Sequence, residues 1–151
     1  MLNALSNARR HVMPTLLGAA MLLGAASAQA SDINVSNARL SLLPGDTPGA
    51  GYFEIENAGD ATITLTGADT DAFESVEMHE SMEQDGMAHM HGVESVDIAP
   101  GETFSFAPRG HHLMFMERVE ALDVGDDVEV TLEFDGETLP VTFEVVSPTS
   151  L

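Results

Sequence analysis

The stretch DVEVTLEFDGETLPVTFEVV, residues 127–146, indicates the fold class of this chain. Apolar and polar side chains alternate strictly from Val128 to Phe134, which is the period of a β-strand with one buried face. Asp135 and Gly136 follow directly, and an Asp-Gly pair readily supplies the positive φ values of a type I′ turn. A second β-type run comes after this pair. The stretch therefore predicts two antiparallel strands joined by a two-residue hairpin.

Short β-type runs separated by turn residues continue through the rest of the chain. No segment carries a helical period over three turns, and no repeat or long linker divides the sequence. Strands at a spacing of about 8–12 residues are typical of antiparallel sandwiches and barrels. We therefore expect one all-β domain over residues 31–151, an antiparallel β-sandwich or barrel of about eight or nine strands. The runs are INVSNARLSL, YFEIEN, TITLTGA, FESVEMHESM, MAHMHGVESVDIA, ETFSFAP, HHLMFME, DVEVTLEF and ETLPVTFEVV.

The first thirty residues have the composition of an export signal. A basic start at Arg9-Arg10 precedes an apolar run, and Ala28-Gln29-Ala30 matches the small-residue pattern of a cleavage site. We expect residues 1–30 to be a signal peptide cleaved after Ala30, with no membrane segment in the remaining chain. An uncleaved anchor over residues 12–30 is the alternative, weakened by its proline and glycines. The arginine pair leaves both the Sec and the twin-arginine export routes open.

The chain is strongly acidic. All 25 carboxylic side chains lie after Ala30, with three arginines and no lysine, so residues 31–151 carry a formal charge of −22. Such a charge repels nucleic acid and anionic lipid, and we exclude both as partners. It is typical of a surface adapted to high salt, where the Debye length falls to about 3 Å at 1 M. An electrostatic function is the second interpretation, although the acids are spread along the chain rather than clustered in blocks.

Methionine and histidine are concentrated in MHESMEQDGMAHMHG, residues 78–92, in a chain without cysteine. A second Asp-Gly pair within this stretch, Asp85-Gly86, predicts another hairpin. In that register Ser81 faces Met90, and His79 becomes the diagonal neighbour of Met90 on the same face of the sheet. We therefore expect these two side chains to reach one metal ion. A slip of one residue would move one of them to the opposite face.

A second cluster, GHHLMFM at residues 110–116, supplies further candidate ligands. Strand alternation places His112 and Met114 on one face, with the apolar side chains between them on the core side. Together with His79 and Met90 they form a set of two imidazoles and two thioethers. Thioether sulfur is a weak donor to zinc, calcium or magnesium but suits soft Cu(I), and imidazole suits both copper states. The absence of cysteine argues against a blue-copper centre, which needs a thiolate, and excludes disulfides and lipid attachment through a cysteine.

The spacing of His79, Met90, His112 and Met114, H-x10-M-x21-H-x-M, resembles the copper motif of the periplasmic copper chaperone family PCuAC. The segments GAGYFEIENAGDATITLTGADT and IAPGETFSFAPRGHHLMFM are similar to the early strands and the ligand strand of that family. The resemblance implies a cupredoxin-like β-barrel or sandwich that binds Cu(I), and we expect no enzymatic activity. It also implies delivery of copper to the CuA centre of cytochrome c oxidase, in cooperation with a Sco-type thiol protein. We expect a periplasmic monomer.

The remaining histidines leave a weak second Cu(II) site open. In the predicted hairpin Met82 faces His89 and Glu80 faces His91, on the side opposite the motif, and nitrogen with carboxylate suits Cu(II). His111 departs from the PCuAC pattern, because that position is often aromatic in the family.

Two other functions also stay open. A copper buffer or resistance protein without a delivery partner needs the same soft site as a chaperone. A superoxide dismutase-like copper enzyme is indicated only by His89-Met90-His91, with no strong pair for general acid–base catalysis beside it.

Overall fold

A computed structural model describes residues 32–151, which form ten β-strands and a final 3₁₀ turn. The predicted all-β class is confirmed, with one strand more than the runs of the sequence indicate. The predicted signal peptide lies outside the described residues. No helix within residues 32–151 is long and apolar enough to span a bilayer. The strands are β1 (Ile33–Ser41), β2 (Gly49–Asn57), β3 (Ile63–Asp69), β4 (Phe73–Gln84), β5 (Met87–Gly92), β6 (Val96–Ile98), β7 (Thr103–Phe106), β8 (His111–Arg118), β9 (Asp127–Phe134) and β10 (Glu137–Val146).

The additional strand comes from the run MAHMHGVESVDIA, which forms both β5 and β6. β5 is the second arm of the hairpin with β4, whereas β6 pairs with β3. As the chain leaves the hairpin, the backbone N–H of Val93 donates to the carbonyl of Met78. One continuous β-type run thus serves two ladders, because the chain changes partner after Gly92.

The strands form one sheet in the order β5-β4-β8-β2-β1-β10-β9-β3-β6, with β7 paired to the second half of β2. Neighbours run antiparallel as predicted, with one exception, the parallel pair β1 and β10. These two strands come from opposite ends of the described chain, so no turn fixes their direction. β3 and β4 lie in contact without forming a ladder, which leaves the sheet rolled but unclosed.

The hairpin at residues 127–146 forms β9 and β10 as predicted, with Phe134 paired to Glu137. Every second residue of β9 is buried, in agreement with the period of two. Of the two turn residues only Gly136 has a positive φ, +97°. A type I′ turn needs a positive φ at both residues, so the type I′ turn that the sequence predicted is wrong here. The N–H of Asp135 donates to the carbonyl of Thr64, which ties this turn to β3.

Close packing between β2 and β8 supports the strand that carries two of the candidate ligands. Gly51 lies opposite Leu113, and a Cβ at position 51 would come within 2.6 Å of the Phe115 ring. Leu113 and Phe115 are completely buried, as the alternation predicted. Because side chains alternate along a strand, this packing turns His112 and Met114 toward the other face of the sheet.

Candidate metal centre

The β4–β5 hairpin has the register that the sequence predicted. Asp85 and Gly86 both have positive φ, +53° and +74°, as a type I′ turn requires. The ladder pairs Ser81 with Met90 and His79 with the last residue of β5. Met90 and His79 are therefore diagonal neighbours on one face of the sheet.

β8 brings the other two candidate ligands to the same face. β4 lies between β5 and β8, and its ladder with β8 pairs His79 directly with His112 and Glu77 with Met114. The ring centroids of the two histidines are 5.9 Å apart. The four predicted residues thus lie on one face of three adjacent strands. The direct pairing of His79 with His112 could not be predicted from the sequence, because no residue within β4 indicates which strand pairs with it.

His112 is the most enclosed of the four residues, with 5% of its surface exposed. Burial lowers its pKa below the ordinary value of 6.5, the hydrogen bond to the Gly110 carbonyl opposes this effect, and the nearby His79 and His111 lower the pKa further. The Gly110 carbonyl lies 3.3 Å from Nδ1 and can only accept, so Nδ1 carries the proton of the neutral ring. Nε2 therefore keeps its lone pair, which is the form of imidazole that binds metal.

His79 is held by the carboxylate of Glu77, two residues earlier on β4. Nε2 of His79 lies 2.9 Å from Oε2 of Glu77 and, when it carries the ring proton, donates to that oxygen. Nδ1 is then the atom with the lone pair, and it is buried without a hydrogen-bond partner. An unsatisfied buried acceptor costs about 1–3 kcal/mol. A metal ion bound to Nδ1 would supply the missing partner, so this residue fits the role of a ligand.

The two methionines differ in access to solvent. Met90 is 52% exposed on the edge strand β5, whereas Met114 is half-buried on β8 between Ala50 and Glu77. Beside His79 the surface is open, since a Cβ at Gly92 would have no atom within 4 Å. The candidate centre therefore combines an enclosed imidazole with a freely accessible thioether, an arrangement that admits a soft cation from solution.

The other three histidines within residues 32–151, His89, His91 and His111, lie on the opposite face of these strands. Glu80 pairs with His91 and Met82 with His89, as predicted, and Glu80 also pairs with His111 across the β4–β8 ladder. Across residues 32–151, no three His, Asp or Glu side chains are already close enough to hold one ion together. The candidate centre does not form such a group, because half of its donors are sulfur atoms.

Several solved structures have the same rolled β-fold. Apo-DR1885 from Deinococcus radiodurans is 31% identical with a TM-score of 0.61, covering 92% of this chain and 97% of that one. Its CuI form is 30% identical, also with a TM-score of 0.61, over 85% and 86% of the two chains. The copper-bound PCuAC domain from PmoF2, 22% identical with a TM-score of 0.64 over 78% and 94%, shows the fold alone. The resemblance to the PCuAC family is thus confirmed, and the molecule has the fold of a PCuAC domain.

Sequence comparison gives the particular family. The family model described as putative lipoprotein LpqE-like matches residues 33–145. A putative lipoprotein of Leifsonia xyli subsp. xyli is 34% identical over 119 residues, which are 78% of this chain and 71% of that protein. The chain belongs to the LpqE-like family.

Proposed function

We propose that this protein is a periplasmic metallochaperone that binds one Cu(I) through His79, Met90, His112 and Met114. The observation that carries the proposal is the direct cross-strand pairing of the two histidines beside the two methionines, all on one face of β5, β4 and β8. The copper named in the solved CuI-DR1885 structure supports the choice of metal.

The chemistry of the four side chains favours Cu(I) over other available ions. Thioether sulfur binds a soft monovalent ion well, and two neutral imidazoles complete a four-donor set without adding charge. None of these donors forms a disulfide, so the four side chains remain able to bind copper in an oxidising compartment. The exposed Met90 is the donor that can release the copper most readily, whereas the enclosed His112 remains bound to it. Such a set both holds copper and passes it on.

We infer that the receiving site is the CuA centre of cytochrome c oxidase, reached together with a Sco-type thiol protein. This step rests on the resemblance to PCuAC. A signal peptide over residues 1–30, cleaved after Ala30, would carry the protein to the periplasm, and a family described as lipoprotein-like is consistent with export. Copper is cargo in this function, and we propose no enzymatic activity.

A copper buffer or resistance protein is the competing function, because it requires the same donors. A strain lacking this protein separates the two. We expect loss of oxidase activity at limiting copper, restored by the wild-type gene but not by a His79→Gln, Met114→Ala variant, with unchanged growth under copper excess. If the strain is instead sensitive to copper and keeps full oxidase activity, the protein is a copper buffer or resistance protein.

Cu(I) binding should respond to pH through His112. Burial lowers the pKa of this imidazole below 6.5, so it is neutral at pH 7 and protons displace copper from it only in more acidic solution. We expect a His112→Met variant to lose affinity less steeply than wild type between pH 6.5 and 5, measured against a chelator of known pH dependence. A variant of the exposed His89, His89→Gln, is the matched control and should follow wild type. Equal slopes in all three proteins would contradict copper ligation by His112.

The same pKa shift links folding to pH in the metal-free protein. The unfolded chain takes up a proton at this histidine near pH 6.5, whereas the folded chain does so only at lower pH. The unfolded state therefore binds more protons in this interval. The contribution of His112 to the free energy of unfolding is complete above pH 6.5 and decreases as the pH falls toward the lowered pKa.

A further inference from the structure

Glu80, His91 and His111 form a cluster on the face of the sheet opposite the candidate Cu(I) centre. Glu80 on β4 occupies the ladder position between the two histidines, with His91 beside it on β5 and His111 beside it on β8. Oε2 of Glu80 lies 3.3 Å from Nε2 of His91, and Oε1 lies 4.0 Å from Nδ1 of His111. One carboxylate thus links two imidazoles from two different strands.

The cluster is held on one side and open on the other. The ring of His111 lies at 5.0 Å from the Phe104 ring and 5.9 Å from the Phe106 ring, in edge-to-face contacts that restrain its orientation. Glu80 and His91 are partly exposed to solvent. An ion can therefore approach from solution and meet one imidazole that is already oriented.

We infer that Glu80, His91 and His111 bind a divalent cation of the Cu(II) type. Two imidazoles and a carboxylate suit borderline divalent metals, and Cu(II) binds such donors more tightly than other first-row ions. Neighbouring donors about 2.0 Å from a square-planar ion are about 2.8 Å apart, so Glu80 and His91, whose nearest donor atoms are 3.3 Å apart, need only a small approach. The three side chains are not yet close enough to hold one ion together, so His111, which lies 4.0 Å from the other oxygen of Glu80, has to move together with Glu80 and His91 to join them. Its contribution was not foreseen in the sequence, which offered only the hairpin partners as a second site.

The divalent site and the Cu(I) centre use opposite faces of the same strands. Glu80 follows His79 on β4, and His111 precedes His112 on β8, so neighbouring residues point to different faces. The proposed site has no sulfur donor, so it favours Cu(II) over Cu(I). This preference does not depend on whether the other face binds Cu(I). The charge of −22 on residues 31–151 favours a cation at either face.

The test is a titration of the folded protein with copper(II) sulfate in competition with glycine, in a His79→Gln background that disables the opposite face. We expect Glu80→Gln, His91→Gln and His111→Gln each to weaken Cu(II) binding by more than about tenfold. The matched control is His89→Gln, which removes an exposed histidine of the same hairpin and should change affinity less than about threefold. Circular dichroism establishes that each variant is folded.

Electron paramagnetic resonance of the Cu(II) protein gives a second measurement. We expect hyperfine splitting from two nitrogen ligands, reduced to one in the His111→Gln variant. An unchanged affinity and spectrum in His111→Gln would overturn the three-strand site. An equal loss in His89→Gln and His91→Gln would do the same, because it would show opportunistic binding by the exposed histidines of the hairpin. Either result leaves the Cu(I) proposal unaffected.

Discussion

Replacing Met90 and Met114 together by alanine should lower the affinity for Cu(I) by at least about 100-fold, or about 2.7 kcal/mol. The physical reason is that two histidines alone offer only nitrogen donors, whereas the soft ion gains most from the thioethers. The measurement is a competition titration against a Cu(I) chelator of known affinity, under reducing conditions. The fully buried residues of the core are untouched by the change, so the variant should fold.

The control for this experiment exists on the same hairpin. Met82 and Met87 are 49% and 61% exposed, close to the 52% of Met90, but neither belongs to the candidate centre. A Met82→Ala, Met87→Ala variant should therefore bind Cu(I) like wild type. X-ray absorption should show two sulfur and two nitrogen neighbours in wild type and only light-atom neighbours in the Met90, Met114 variant. Equal affinities for the two double variants, or a wild-type spectrum without sulfur, would refute the proposed centre.

Added salt should strongly stabilise the fold. We expect the thermal midpoint to rise by about 10 °C between dilute buffer and 1 M sodium chloride, which corresponds to about 3 kcal/mol for a domain of this size. Within residues 32–151 no arginine lies within 4.0 Å of a carboxylate oxygen, so the negative charges are not neutralised by ion pairs. At 1 M the Debye length of about 3 Å screens their repulsion, whereas at 0.01 M it is about 30 Å. A flat midpoint across this range would contradict the interpretation of the acidity as adaptation to salt.

One cleft brings several of the negative charges together. A cavity of about 240 Å³ is lined by five carboxylic side chains, and one of them, Asp127, also stands directly opposite Glu144 in the β9–β10 ladder. Like charges in such pairs are destabilising. The Asp127→Asn variant should therefore melt at a higher temperature than wild type in dilute buffer and at the same temperature in 1 M salt. Asp60→Asn, which changes an exposed turn residue, is the matched control. The five residues are Asp69, Asp71, Glu120, Asp127 and Glu129.

The parts of the fold that depend on local sequence could be predicted. The Asp-Gly pairs and the alternation around them gave both hairpins, and for Asp85-Gly86 also the register that unites His79 and Met90. The division of one β-type run into β5 and β6 could not be predicted, because each half has the pattern of a strand whatever its partner. The conformation of the turn at Asp135 also escaped prediction, since a contact with β3 holds it.

The amino-acid sequence by itself determined which chemistry is available: two soft thioethers and two imidazoles at the spacing of the motif, no thiol, a large negative charge and strands with one apolar face. Only the tertiary structure decided which strands are neighbours. The pairing of β4 with β8 sets His79 against His112 and, on the other face, Glu80 against His111. Burial in that pairing also lowers the pKa of His112. Alternation and turns act over a few residues and are visible in the sequence, whereas pairing between distant strands is chosen by the packing of the common core, which no single segment contains.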